Sequence, residues 1–105
     1  MKMTAITVAI VSVFLFTSMV MADLTWVTKS NNFATFTEAN LDRVISYSAA
    51  GDRRALQKMV EKEKTAFFLK SGVRVYVEET SWTKVRIRPE GETWSIWTVR
   101  DALHK

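Results

Sequence analysis

Apolar and polar positions alternate with a period of two over two runs in the last third of the chain. Val75 and Val77 alternate with polar neighbours in the first run, and Val85 and Ile87 do so in the second. A period of two is typical of a half-buried strand, in which every second side chain faces the core. The two runs therefore predict a β-hairpin with these four side chains facing inward.

Further barrel elements are predicted around this hairpin. Pro89 suits position i+1 of a type I turn, and Gly91 suits position i+3 of the same turn. The run 93–99 has aromatic and β-branched residues on both faces of a predicted strand. Residues 100–103 then predict one helical turn that closes a small barrel, and residues 66–69 predict its first strand.

Residues 37–50 have helical rather than strand spacing. Thr37 is a predicted N-cap, and Glu38 lies in the first turn, where the helix dipole favours an acid. Leu41, Val44 and Ile45 recur at intervals of three and four residues, which places them on one face of a helix. The sequence therefore predicts a helix over 38–50.

A second helix is predicted directly after the first. Gly51 suits the left-handed position that commonly ends a helix, and Asp52 is a predicted N-cap for the next one. Leu56, Met59 and Val60 form its apolar stripe, and we interpret the charged residues around them as a solvated face. The two helices form a predicted helical hairpin over 37–64.

The segment before the helices has two interpretations. Residues 23–36 are polar, with Ser30-Asn31-Asn32 at their centre, which is typical of a flexible approach segment. Within them, residues 24–28 instead suit an edge strand that completes the barrel. Both interpretations stay open at the level of sequence.

Residues 1–22 have the profile of a membrane-targeting leader. Lys2 is their only charge, and the run from Ala5 to Ala22 is uncharged. Small residues at positions 20 and 22 predict a signal peptide cleaved after Ala22. The alternative is an uncleaved anchor, since about 18 apolar residues can span a bilayer. With no cysteine for disulfides or a lipid tether, we expect a periplasmic or secreted bacterial protein.

The predicted elements combine into an α+β fold within one domain over 37–105, in which an N-terminal helical hairpin is followed by a small antiparallel β-barrel over 65–103. The barrel pattern resembles that of bacterial SH3-like barrels in small exported, periplasmic proteins. The resemblance implies binding to a peptide, a cell-wall glycopeptide or a partner protein, and it supplies no binding residues. It is carried by Leu69, Gly72, Val73-Arg74-Val75-Tyr76-Val77, Lys84-Val85-Arg86-Ile87, Gly91, Trp94, Trp97 and Leu103.

The composition of the chain argues against most types of catalytic, metal-binding and phosphate-binding site. The net charge is +4, a mild excess from which we expect no nucleic-acid partner, and membrane contact is expected only through an uncleaved leader. The one histidine, His104, lies next to the C-terminus, and the three glycines are isolated from one another. A catalytic triad, a histidine or cysteine metal site and a phosphate-cradling loop are therefore not expected. We predict no enzyme activity, no metal and no cofactor.

One surface is the candidate binding site. If the four apolar residues of the hairpin face inward, basic and aromatic side chains share the outer face of its strands. We call this surface the basic-aromatic face, and its residues are Arg74, Tyr76, Trp82, Lys84, Arg86 and Arg88. It suits a protein or an anionic envelope polymer. In the structural alternative, Tyr76 and Trp82 pack against the helical hairpin, and the basic residues only shield the sheet.

Two functions follow from this surface. The first is a non-enzymatic exported binding module that contacts its partner through the basic-aromatic face. The alternative is a secreted inhibitor or immunity-type protein that presents the turn 79–82 to the cleft of a partner protein. The exposure of Trp82 distinguishes the two, because the second function requires the ring to stand out from the turn.

Overall fold

The computed structural model of the protein describes residues 26–105. The predicted leader 1–22 and its cleavage site lie outside the described residues, as do residues 24 and 25 of the predicted edge strand. The elements are β1 (Trp26–Thr28), β2 (Phe33–Thr35), α1 (Glu38–Ala50), α2 (Arg53–Lys58), a π-helical turn (Met59–Glu63), β3 (Phe67–Phe68), β4 (Arg74–Ser81), β5 (Lys84–Pro89), β6 (Ile96–Val99), a 3-10 turn (Arg100–Ala102) and β7 (Leu103–His104).

The seven strands form one antiparallel sheet in the order β3-β2-β6-β5-β4-β1-β7. The sheet is curled, and Thr28 links β1 to the loop that follows β3. Its hydroxyl donates to the carbonyl of Lys70 at 2.6 Å and accepts from the amide of Val73 at 2.9 Å. These bonds satisfy a buried hydroxyl and bring distant parts of the chain together.

Two apolar cores lie on opposite faces of this sheet. Adjacent residues of β6 show the division, because Ile96 belongs to the inner core and Trp97 to the outer one. The inner core consists of Ala34, Leu69, Val75, Val85, Ile87, Ile96, Ala102 and Leu103. The outer core consists of Leu41, Val44, Met59, Ala66 and Trp97. The predicted inward orientation of Val75, Val85 and Ile87 is thus confirmed, and the helices cover the outer face of the sheet through Trp97.

The predicted boundaries of the first helix, and the predicted N-cap of the second, are confirmed. α1 spans Glu38–Ala50, and the Thr37 side chain accepts a hydrogen bond from the amide of Asn40. Gly51 ends α1 with φ 69°, in the left-handed region. Asp52 caps α2 by accepting from the amide of Ala55. α2 is shorter than predicted, because the chain continues from Met59 as a π-helical turn.

The predicted fold class is wrong. The helices follow β1 and β2, so they do not form an N-terminal hairpin ahead of an SH3-like barrel, and the sheet has seven strands. The prediction failed at β2, which lies in the segment interpreted as flexible. β2 pairs with β3 and β6, and Thr98 donates a hydrogen bond to the carbonyl of Phe33. A strand of three residues is too short to show periodicity, so only these distant partners define it.

Of the two interpretations of the segment 24–28, the strand is confirmed for residues 26–28. β1 is not an edge strand, however, because it pairs with β4 on one side and with β7 on the other. The two residues of β7, Leu103 and His104, were predicted as the end of a helical turn and a terminal residue. They supply the sheet edge that β1 was expected to form.

The predicted turn after β5 is displaced by one residue. Pro89 still pairs with Val75, and the amide of Glu90 donates to the carbonyl of Arg74, so the ladder extends beyond the proline. The turn closes with a hydrogen bond from the amide of Glu92 to the carbonyl of Pro89, and Gly91 has φ 84°. Proline is therefore at position i, and glycine occupies the left-handed position i+2 of a type II turn.

Candidate functional site

The β4–β5 hairpin carries all six residues of the basic-aromatic face. A β-bulge interrupts the regular pairing of its two strands between Val77 and Glu79. Val77 pairs with Ile87, whereas Glu79 pairs with Arg86, so Glu78 is the extra residue on β4. A bulge shifts the alternation of side chains along the bulged strand. For this reason Glu78 and Glu79 both reach the arginines of β5, a placement that simple alternation did not predict.

Trp82 lies at the tip of this hairpin and is 90% exposed. Ser81 pairs with Lys84, which leaves Trp82 and Thr83 as a two-residue loop. Trp82 has φ 56°, a left-handed backbone conformation that is rare for a bulky residue. Two-residue hairpins with a positive φ at the first loop position normally have glycine there. The structural alternative, in which Trp82 packs against the helical hairpin, is therefore wrong for this residue.

Lys84 joins the hairpin to α1. Its ammonium nitrogen lies 2.7 Å from a carboxylate oxygen of Glu38 and 2.8 Å from one of Asp42. The two acids are four residues apart and therefore share one face of α1. The hydrogen bond to Asp42, followed by that to Glu38, raises the pKa of Lys84 above its ordinary value of 10.5. The Lys84 side chain is only 16% exposed, so it serves packing between sheet and helix.

Arg88 and Arg86 share Glu78 as an ion partner. The Nε atom of Arg88 lies 3.1 Å from one carboxylate oxygen of Glu78, and the Nε atom of Arg86 lies 3.7 Å from the other. Arg86 also approaches Glu79 at 3.4 Å. The Arg88 guanidinium lies over the ring of Tyr76, 4.6 Å from its centroid, as a cation–π pair. Glu78 in addition accepts a hydrogen bond from the hydroxyl of Ser95.

Arg74 is the remaining residue of the basic-aromatic face, and its Nε atom lies 3.7 Å from a carboxylate oxygen of Glu90. The structure thus brings together Tyr76, Arg86 and Arg88, while Arg74 lies at one end of the hairpin and Trp82 at the other. All four cations of the predicted surface have carboxylate partners within the chain. Their fields are largely compensated locally, which weakens attraction to a polyanion.

Cations without such partners are concentrated elsewhere, on α2, the π-helical turn and the residue that caps this turn. No ion pair within residues 26–105 involves Arg53, Arg54, Lys58, Lys62 or Lys64. From the sequence alone, we interpret these charges as a solvated face. Their one signal in the sequence is density, since all five fall within twelve residues.

Exposed aromatic rings surround the two-residue edge strand β3. Phe68 is 63% exposed, Phe36 is 61% exposed and Trp94 is 44% exposed. Phe33 stacks on Phe68 with ring centroids 4.7 Å apart, and Phe36 contacts both Phe67 at 5.4 Å and Trp94 at 6.3 Å. We call these five residues the aromatic rim. Their clustering depends on β2 and β3 being paired, so sequence reasoning that missed β2 also missed the rim.

Within 26–105 there is no group of three or more histidine, cysteine or acidic side chains placed to hold a metal ion. No helix in the same part of the chain has the length and apolar character needed to cross a bilayer.

Comparisons with protein-family models, curated proteins and solved structures give no match for this chain. They identify no family for this chain.

Proposed function

We propose that the protein is a non-enzymatic, exported binding module that presents the Trp82 tip of the β4–β5 hairpin to an apolar cleft in a partner protein. The observation that carries this proposal is the 90% exposure of Trp82 on a two-residue turn. Tryptophan supplies a large contact area and is among the residues most enriched in binding hot spots. Placed at the tip of a turn, this ring can enter a concave site without a clash from neighbouring strands.

The backbone at Trp82 supports the proposal independently of exposure. A left-handed conformation costs an L-residue about 1–2 kcal/mol, and glycine avoids this cost. Strained positions of this kind cluster at functional sites, where the side chain has a role that offsets the strain. Trp82 makes no ring contact that would offset it within residues 26–105. A role in contacting another molecule accounts for both its exposure and its conformation.

The hairpin that carries Trp82 is held in place close to its tip. Lys84, the first residue of β5, is tied to α1, and Arg86 forms an ion pair across the hairpin with Glu79. These links reduce the number of orientations that the tip can adopt. A binding loop that is already ordered loses less entropy on association. The links made by Lys84 and Arg86 therefore favour tight binding by a small surface.

The basic-aromatic face supports the other function less well. An anionic envelope polymer would have to compete with Glu78, Glu79 and Glu90 for the arginines that are already paired with them. Tyr76 lies under Arg88 and is only partly exposed. Contact with a protein through the hairpin tip requires none of these pairs to break.

Site-specific photocrosslinking tests the proposal and identifies the partner in the same step. A benzoylphenylalanine is placed at position 82, and the matched control carries it at position 94, where another exposed tryptophan stands. Irradiation in the producing cells should give a discrete protein adduct from position 82 that is absent from position 94. Purified partner should then bind the wild-type chain more tightly than Trp82→Gly and as tightly as Trp94→Ala. Absence of an adduct at position 82, or identical adducts from both positions, contradicts the proposal.

A further inference from the structure

The net positive charge of the described chain is concentrated in residues 53–64, which we call the cationic segment. It contains five basic and two acidic residues, a net charge of +3, whereas residues 26–105 together have a net charge of +4. One of its acids, Glu63, pairs with Arg43 at 3.1 Å. The five basic side chains have no carboxylate partner among the described residues. Their positive charge is therefore not neutralised by ion pairs among the described residues and can attract an anionic partner.

Apolar surface lies directly beside these cations. A groove of about 460 Å³ is lined by Phe33, Leu56, Val60 and Phe68, with Arg53 at its margin. A neighbouring groove of about 500 Å³ is lined by Arg54, Lys58 and Lys62. The two grooves share Gln57 and Glu61 as lining residues, so they form one continuous surface.

The aromatic rim extends this surface around the sheet edge. Phe68 lines the apolar groove on one side, and on the other side it lines a third cavity together with Trp94. Rings of phenylalanine and tryptophan next to lysine and arginine are the combination by which proteins bind the interface of a bilayer. Clusters of four to eight basic residues on a helix are typical of contact with anionic lipid headgroups.

The short length of β3 favours a membrane over a peptide as the partner of this surface. A peptide that extends a sheet gains its affinity from main-chain hydrogen bonds along the edge strand. β3 has only two residues, so it offers few such groups. Binding to a lipid surface requires no main-chain hydrogen bonds to a strand, only exposed aromatic rings and basic side chains.

We propose that the cationic segment and the aromatic rim together bind the surface of a membrane that contains anionic lipid. The basic side chains contact the headgroups, and Phe68 with its neighbouring rings enters the boundary between headgroups and acyl chains. This surface is separate from the Trp82 tip. A domain bound in this way keeps its hairpin available to a protein partner.

Vesicle binding tests the proposal with the full chain. Wild type is titrated against vesicles of phosphatidylcholine alone and of phosphatidylcholine mixed with phosphatidylglycerol. The leader region, which carries Lys2, is the same in every variant, so a difference between variants in anionic partitioning reports the described surface. Partitioning into the anionic vesicles should be stronger and should weaken as ionic strength rises toward ~0.15 M and beyond.

Two matched pairs of variants locate the surface. Arg54→Gln with Lys58→Gln should lower anionic partitioning by about 25-fold, at roughly fivefold for each charge near the bilayer. Lys29→Gln with Arg100→Gln removes the same charge outside the cationic segment, after β1 and after β6, and should have a clearly smaller effect. Phe68→Ser should weaken binding to the anionic vesicles, whereas Trp82→Gly should leave it unchanged. Circular dichroism confirms that each variant is folded.

Three results would overturn the proposal. The first is equal binding to both vesicle types, and the second is an equal loss from the two charge pairs, which would indicate net charge alone. The third is binding of soluble polyglutamate, abolished by Arg54→Gln with Lys58→Gln, when the anionic vesicles do not bind. That result would assign the surface to an acidic protein segment. Because Trp82→Gly separates the two surfaces, failure here leaves the proposed function of the hairpin tip unaffected.

Discussion

Trp82 occupies a backbone position that glycine would adopt at lower energy. We expect Trp82→Gly to leave the free energy of unfolding unchanged or to raise it by up to about 1 kcal/mol, because relief of the left-handed conformation outweighs the entropy lost by glycine. Urea denaturation measures the change, and loss of partner binding should accompany it. A destabilisation above about 1 kcal/mol would mean that the ring makes a folding contact.

Val75 and Ile87 are fully buried in the inner core. Truncation of either residue to alanine should lower the free energy of unfolding by about 2–4 kcal/mol, because it removes apolar contacts and leaves a cavity. Thr83→Ala, on the exposed turn, is the control and should change it by less than ~0.5 kcal/mol. Urea midpoints near the wild-type value for both core variants would contradict the inner core as described.

Lys84 gives the protein an alkaline dependence of stability. Its pKa is raised in the folded state by Asp42 and Glu38, so its contribution is fully present below the ordinary value of 10.5 and is lost as pH rises through the higher folded value. Lys84→Gln should therefore be less stable than wild type at neutral pH, and the difference should narrow above about pH 10.5. Thermal unfolding from pH 7 to 12 measures it. A difference that is independent of pH would show that the ion pairs are not responsible.

At the scale of elements, the bulge at Glu78 determines the charge of the hairpin face. Glu78→Gln should free Arg86 and Arg88 from their shared partner and raise affinity for soluble polyphosphate at low salt, by at most about fivefold since exposed pairs contribute up to ~1 kcal/mol. Asp101→Asn makes the same change in net charge outside β4 and β5, at a residue that forms no ion pair with Arg86 or Arg88. Isothermal titration compares the two variants, and equal gains would show that the pairs do not mask the face.

Elements with local signals were predictable, and elements defined by distant partners were not. Thr37, Gly51 and Asp52 determine helix boundaries through bonds within a few residues, so α1 follows from sequence. β2 and β7 have three and two residues, and their partners lie far along the chain. Because β2 and β7 were not predicted, the polar segment that contains β2 was interpreted as flexible. The helices were then expected to precede the sheet, and the predicted fold class was wrong.

The candidate site was predictable in composition but not in its pairing. The alternation around Val85 and Ile87 correctly placed Arg86 and Arg88 on the outer face. It could not show that Glu78 is bulged toward them or that α1 brings two acids to Lys84, because both depend on tertiary packing. From the sequence, Trp82 is expected both on the outer face of a strand and at the end of the turn 79–82. The structure instead extends β4 to Ser81 and leaves only Trp82 and Thr83 in the loop. A two-residue turn without glycine, asparagine or aspartate gives no turn signal.

At the scale of the whole molecule, the proposed export depends on processing of residues 1–22. We predict that the intact mass of protein purified from its native envelope corresponds to a chain that begins at Asp23, because the uncharged run ends at small Ala22. An Ala22→Arg variant, which blocks the cleavage position, should retain the full mass. Recovery of the wild type as a full-length chain in the membrane fraction would support the anchor alternative.

The pairing of β1 with β7 has a consequence for protein engineering. Val27 lies opposite His104, so the described chain starts and finishes on adjacent strands. Neighbouring ends of this kind are what makes circular permutation tolerable. In a chain shortened to residues 26–105, a short glycine-serine linker could join the two strands, and new ends could open in the polar stretch 29–32. Such a permutant would have β2 alone ahead of the two helices and six strands after them, close to the order that the sequence pattern suggested.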